Sequence, residues 1–209
     1  MALGDLFSNV HLLVRWIHVL AGIMWIGHLY FFNFVNLQLQ ASLDDDGKKA
    51  VNPQLMPRAL WWFRWGAMIT FIAGWILFTM NYMYTPGSGF GPSALFLTSD
   101  GHMTGRAIWI LFGMAFATMM WVNVWFVIWP AQKKLLSKQV TGDAAVPVRT
   151  KAARASRMNT YFSGPMLFGM LAPAHYGASN LVTLLVALGL GYLVVFWAYA
   201  QSKKVSIKV

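Results

Sequence analysis

Five histidines stand among largely apolar residues in this chain, at positions 11, 18, 28, 102 and 175. His11, Arg15 and His18 are spaced i, i+4, i+7, so a helix through them carries all three on one face. His102 and Arg106 repeat the four-residue spacing, and His175 follows the proline-containing stretch LAPA. Imidazoles beside guanidinium groups are the donor set of a membrane haem, whose iron takes one or two histidines and whose propionates take cations. The same residue types also serve as interfacial bridges between backbone and lipid headgroups. Ionisable side chains at membrane depth are functional by default, which favours the ligand reading where several gather. His28, about 15 Å farther along the same helix than His18, stands apart and reads as structural.

Other chemistries are excluded by what is missing. The chain has no cysteine, so disulfides, iron–sulfur clusters, thiolate zinc and covalent c-type haem attachment are ruled out. Its six acids are Asp5, Asp44, Asp45, Asp46, Asp100 and Asp143, all in expected loops or helix ends. With no carboxylate at membrane depth, proton pumping and ion-coupled transport lack their usual relay. Met103 beside His102, together with His11, is the one grouping that suggests copper handling. The 13 methionines and 11 tryptophans otherwise read as bundle filler and interfacial belt.

The elements that must position these residues are membrane spans. The 209 residues are 58% hydrophobic and only 11% charged, and apolar runs near the ~20 residues needed for a bilayer recur along the chain. The pattern predicts helices at about 10–38, 59–84, 105–131, 157–176 and 179–201, separated by polar or Gly/Pro-rich loops. The start of the chain lacks a basic region and a small-residue cleavage site, so it reads as a retained first helix. Gly189 and Gly191 in LGLGY read as close-packing positions on the fifth helix.

The net charge of +10 would suggest nucleic acid in a soluble protein; here the cations cluster in loops and serve as a topology signal instead. Lys133, Lys134, Lys138, Arg149, Lys151, Arg154 and Arg157 make the third loop cytoplasmic, and Lys48, Lys49, Arg58 and Arg64 put the first loop and the start of the second helix on that side. The tail, with Lys203, Lys204 and Lys208, follows. The fold class expected is therefore all-α, an integral membrane bundle of about five transmembrane helices in a single domain 1–209, N-terminus outside and C-terminus cytoplasmic. That orientation sends His11, His18, His102 and His175 toward the outer side.

Four stretches carry a family resemblance: VRWIHVLAGIMWIG, LWWFRWGAMITFIAGWILF, MWVNVWFVIWPAQKKLL and RMNTYFSGPMLFGMLAPAHYG. In this order they resemble the membrane domain of the cytochrome-c-linked urate oxidase (urate hydroxylase) family. The first stretch is also similar to membrane-bound protoporphyrinogen oxidase and to copper-resistance membrane proteins. Of the family's patterned positions, His18, Arg64, Asn123, Asn159 and His175 are present. The resemblance implies a haem-linked redox bundle that passes electrons toward cytochrome c. The fused cytochrome c domain and its C-x-x-C-H motif are absent from this sequence, so a stand-alone member is expected.

Residues and resemblance together give one expectation. A haem-b electron-transfer protein of a bacterial inner membrane binds one haem, or two, with His18 and His175 as axial ligands and Arg15 and Arg106 on the propionates. His102 and His11 are the reserve ligands. Its partners would be the lipid bilayer and a c-type cytochrome or respiratory complex subunits, with no nucleic acid; it would act singly or as an oligomer. The rivals are a non-catalytic accessory subunit of a larger redox complex and a copper-handling membrane protein.

Overall fold

The computed structural model describes residues 5–205; Lys208, counted above with the basic tail, lies outside them. Along the described residues run five long helices: α1 Leu6–Ser42, α2 Asp45–Tyr82, α3 Gly105–Leu136, α4 Ala145–His175 and α5 Leu181–Ser202. A two-stranded hairpin, β1 Tyr84–Thr85 with β2 Gly89–Phe90, lies in the connection after α2. The all-α bundle expected from the sequence is what the chain forms. α1, α2, α3 and α5 are each long and apolar enough to cross a membrane, which is the build of a multi-pass membrane protein.

Local chemistry starts each helix. Asp5 accepts from the Ser8 amide, Asp44 from Gly47, Thr104 from Ala107 and Asn180 from Thr183, which satisfies amides that have no partner within the helix. Two helices begin well before their apolar runs. α2 starts at Asp45 rather than near 59, carried by the Asp44 cap and by Asp45 and Asp46 in its first turn, with Pro53 and Pro57 accommodated inside it. α4 starts at Ala145 rather than near 157. Its Pro147 falls in the first turn, where a missing N–H costs nothing. In both cases the helix outruns the hydrophobic segment, so hydropathy marked the bilayer and not the element.

α4 is the helix hydropathy does not mark as a span. It packs along α3 and α5 and touches α1, and it carries buried Asn159, Thr160 and Ser163. A helix whose neighbours are other helices can afford polar groups that a lipid-facing one cannot. Glycines let it come close: Gly169 meets Gly113 of α3, where a Cβ would lie 2.6 Å from the Gly113 nitrogen, and Gly164 meets Gly191 of α5 backbone to backbone. The close packing expected of the α5 glycines thus holds at Gly191, while Gly189 has nothing within 4 Å.

α1 and α2 form an antiparallel pair, with Trp25 of α1 packed over Gly66 of α2. Trp25, Leu29, Phe63, Met120 and Val124 are the larger buried side chains of the main core, which joins this pair to α3. Outward, α5 exposes Leu181, Val182, Leu193 and Trp197 by 60% or more. Apolar exposure on that scale needs a non-aqueous cover, and the bilayer supplies it.

Candidate functional site

Because the helices alternate in direction, the start of α1, the end of α2, the β-hairpin, the start of α3 and the end of α4 share one end of the bundle, the hairpin end. The Lys- and Arg-rich segments share the other, the basic end. His11, Arg15, His102, Arg106 and His175 all belong to the hairpin end, and His18 lies three helical turns into α1 from it.

On α1, His18 is half-buried against α2. Its Nδ1 donates to the Thr70 carbonyl at 2.9 Å, and its Cε1 lies 3.1 Å from where a Cβ on Gly74 would be. Gly74 therefore makes the room for the ring, and the carbonyl fixes the tautomer, so Nε2 is the nitrogen left for a ligand. His11 is placed differently. Its Nε2 lies 3.1 Å from Asn81 Oδ1 and 3.3 Å from an Arg15 nitrogen, and these contacts are exclusive, since one needs a hydrogen on Nε2 and the other a lone pair. Asn81 is the stronger claimant, because its own amide donates to the Leu77 carbonyl at 2.8 Å and so points its oxygen at His11. That orientation leaves Nδ1 as the ring nitrogen open to a ligand and sets Arg15 at liberty for another partner. Arg15 and Arg106 both lie within electrostatic reach of Tyr82, so the two cations flank one point of the hairpin end.

His175, the last residue of α4, lines an open cleft of about 460 Å³ together with Arg106, Tyr176, Thr104, Leu95 and Pro173. The chain after it is pinned to α3, because the Trp109 indole donates to the Ala178 carbonyl at 2.7 Å. His102 is exposed in the loop before α3, where its backbone pairs with Thr98, and Met103 beside it is also exposed. The structure thus brings His175 together with Arg106, and His11 with Arg15. His18 belongs to the α1–α2 seam and His175 to the α3–α4 cleft. Among the described residues no three of His, Asp or Glu converge on a metal-sized site; a haem asks the protein for one or two.

The sequence offered Asn123 and Asn159 as family positions with no role attached; the structure places them in a second polar constellation, buried in the bundle around α4. Asn159 is fully buried, accepting from Asn123 Nδ2 at 2.8 Å and donating to the Met120 carbonyl at 2.9 Å. Asn33 donates to Ser156 Oγ at 2.8 Å and accepts from the Tyr199 hydroxyl at 2.8 Å, and Tyr30 meets Ser163 at 2.9 Å. Side chains of α1 and α3 are thereby tied to α4, and α5 is tied to α1. Where α1 and α3 reach it, each widens into a π-helical turn, Phe31–Asn36 and Asn123–Ile128. The signal was present in the sequence: Ser156, Thr160 and Ser163 are spaced i, i+4, i+7, as are His11, Arg15 and His18.

The model of the urate oxidase N-terminal family matches residues 5–51 and 93–206. The chain belongs to this family. The match covers all of α1, α3, α4 and α5, including His18, Asn123, Asn159 and His175. It omits 52–92, so most of α2, with Arg64, Thr70 and Gly74, and the stretch LWWFRWGAMITFIAGWILF fall outside it. No curated protein and no solved structure matches the chain.

Proposed function

We propose that this chain is the membrane module of a urate-oxidase-type redox system, binding haem b and passing electrons to a separate c-type cytochrome or respiratory complex. Its setting would be a bacterial inner membrane, with the hairpin end facing outward because the Lys and Arg residues crowd the opposite end. The observation that carries the reading is His18, a half-buried imidazole in a membrane helix of this family, with its ring fixed by a backbone carbonyl and Nε2 left over. Next to it in kind is the cleft of His175, which offers a second imidazole and the Arg106 guanidinium. The residues suit the group at two separate places: His18 in the α1–α2 seam and His175 in the α3–α4 cleft would each hold an iron, with Arg15 and Arg106 as propionate partners. Bound there, the haem would supply reversible one-electron chemistry. This chain's residues orient the imidazole, set cations at the hairpin end and exclude water from the α1–α2 seam.

The test is a reduced-minus-oxidised spectrum of the purified protein with haem quantified as its pyridine haemochrome. His18→Ala and His175→Ala should each lower the haem content with membrane insertion intact; normal haem in both would refute the ligand assignment. A colourless wild-type protein that copurifies with a respiratory complex would point to an accessory subunit. Urate-dependent reduction of added cytochrome c separates an enzyme from a carrier.

A further inference from the structure

α2 carries an arginine where its neighbours are tryptophans. Arg64 is about 27 Å of helix from Tyr82 at the hairpin end, which puts it close to the far boundary of a hydrocarbon core about 30 Å thick. Trp61 and Trp65 of α2 and Trp125 and Trp129 of α3 stand at the same level, with ring centroids 5.7 Å apart between Trp65 and Trp125. Tryptophans at that depth form an interfacial belt. Trp61 is 45% and Trp65 39% exposed, so this part of the belt faces lipid.

The guanidinium has no counter-ion. Arg64 Cζ sits 3.7 Å from the centroid of the Trp129 ring, a contact that holds the group in the α2–α3 seam and uses none of its N–H donors. Its Nε is enclosed without an acceptor, as are the indole nitrogens of Trp125 and Trp121. Its terminal nitrogens also have no hydrogen-bond or ion-pair partner among the described residues, but they are not enclosed. Asp46, the nearest acid on the same helix, is about 27 Å away along the axis and pairs with Lys49. The seam thus presents donors at its lipid-facing surface and pairs them with no acceptor. Ionisable groups at membrane depth are paired with opposite charge or with carbonyls, so the missing partner of Arg64 has to come from outside the chain.

At the boundary of the bilayer the available acceptor is a phospholipid head. Phosphate oxygens only accept, and a guanidinium fork takes two of them at once. Charge then selects among lipids. Exposed Lys133, one helical turn beyond Trp129, and Lys134 after it add cations at the basic end of the seam. A zwitterionic head brings its own ammonium into this surrounding, whereas an anionic head brings none. Free phosphate lacks the acyl chains that would lie against Trp61 and Trp65.

The geometry points to a selective site for an anionic phospholipid in the leaflet at the basic end, its phosphate on the terminal nitrogens of Arg64 and its chains along the tryptophans of the α2–α3 seam. The site is separate from the hairpin-end histidines and does not depend on haem being bound there.

The test is native mass spectrometry of the full-length protein released from detergent micelles, titrated with phosphatidylglycerol or phosphatidylcholine of identical chains. Wild type should fill one site with phosphatidylglycerol well before phosphatidylcholine. Arg64→Gln, which keeps a polar side chain and removes the charge, should weaken phosphatidylglycerol binding at least about tenfold and abolish the preference. Trp129→Leu, which removes the ring under the guanidinium, should reduce the preference by less. Arg58→Gln, whose arginine is already bonded to Gln54, should bind as wild type, and circular dichroism checks that all variants keep their helix content. Equal wild-type affinity for the two lipids would overturn the proposal. So would a preference unchanged in Arg64→Gln, or in Trp129→Leu should Arg64→Gln fail to insert, and so would an equal loss in Arg58→Gln, which would reduce the effect to general basic charge. Displacement of the lipid by millimolar inorganic phosphate would make this a free-anion site, and haem content lost in Arg64→Gln would assign the guanidinium to a propionate; either result refutes it. Loss of haem in His18→Ala with lipid selectivity intact would sink only the electron-transfer reading above.

Discussion

Gly169→Ala pits two opposing effects against each other at a single position. In an exposed helix the change is favourable, since alanine exceeds glycine in helix propensity by about 1 kcal/mol. At Gly169, however, the new Cβ would lie 2.6 Å from the Gly113 nitrogen and 2.7 Å from its Cα, against 3.4–4 Å for ordinary contact. Both atoms are backbone, so no rotamer change relieves the clash, and α3 and α4 must separate by nearly an ångström. Overpacking of this kind costs about 1–3 kcal/mol, and in a membrane no aqueous hydrophobic effect recloses the gap. The expected outcome is a net loss of up to about 2 kcal/mol. Gly189→Ala, where a Cβ meets nothing within 4 Å, keeps only the propensity gain and should be neutral or stabilising. Gly113→Ala combined with Gly169→Ala should cost less than the sum of the two, because one separation accommodates both methyls. The assay is reversible unfolding in mixed micelles, titrated with dodecyl sulfate and followed by helical circular dichroism. A Gly169→Ala protein as stable as Gly189→Ala would show that the α3–α4 crossing does not rest on backbone contact.

Reporters fused after Lys138 and after Val209 should both read cytoplasm and one in the 87–99 loop the outside; an outside signal after Lys138 would reverse the orientation. Asn159→Leu should destabilise the bundle by about 2 kcal/mol, because it removes the partner of the Asn123 side-chain amide inside the bundle; dodecyl sulfate unfolding measures this, and a wild-type midpoint would show the pair to be dispensable. Asp5 is held below the ordinary carboxylate range by its hydrogen bonds from the Ser8 hydroxyl and amide. Its capping is therefore present above the unfolded-state value and lost as pH falls through the lowered one, so the Ser8 amide should exchange faster, relative to its intrinsic rate, in acid, and an Asp5→Asn protein should lose that pH dependence. Vesicles containing this chain alone should show no redox-driven acidification, since no carboxylate lies at membrane depth.

The sequence was most informative where bilayer physics dominates. Four of the five helices and the crowding of histidines at one end follow from hydropathy and charge, because lipid tolerates little else. The helix starts at Asp45 and Ala145 were misplaced because Pro53, Pro57 and the lysines were weighed as loop chemistry, although Asp44 already carried a capping signal. Spacing fixes which residues share a face of their own helix but not how a neighbouring helix is turned. That His18 would lean on the Thr70 carbonyl, that Asn81 would claim His11, or that Arg64 would lie over the Trp129 ring was therefore beyond its reach. The polar stripe of α4 went unread for a different reason. Ser, Thr and Asn carry no charge and stand out less than histidine, although in this bundle they make most of the contacts between helices that are not apolar.

The two π-helical turns bear on how relatives of this chain should be compared. A turn closed by i→i+5 bonds holds one residue more than its α-helical counterpart, so removing one residue within Phe31–Asn36 or Asn123–Ile128 restores an ordinary helix and leaves every downstream side chain facing as before. The same deletion a few turns away would rotate the rest of the helix by about 100° and carry its inward face out to lipid. Single-residue gaps among homologues belong in these two windows, and a relative lacking the extra residue should also lack an asparagine at the position of Asn33 or Asn123.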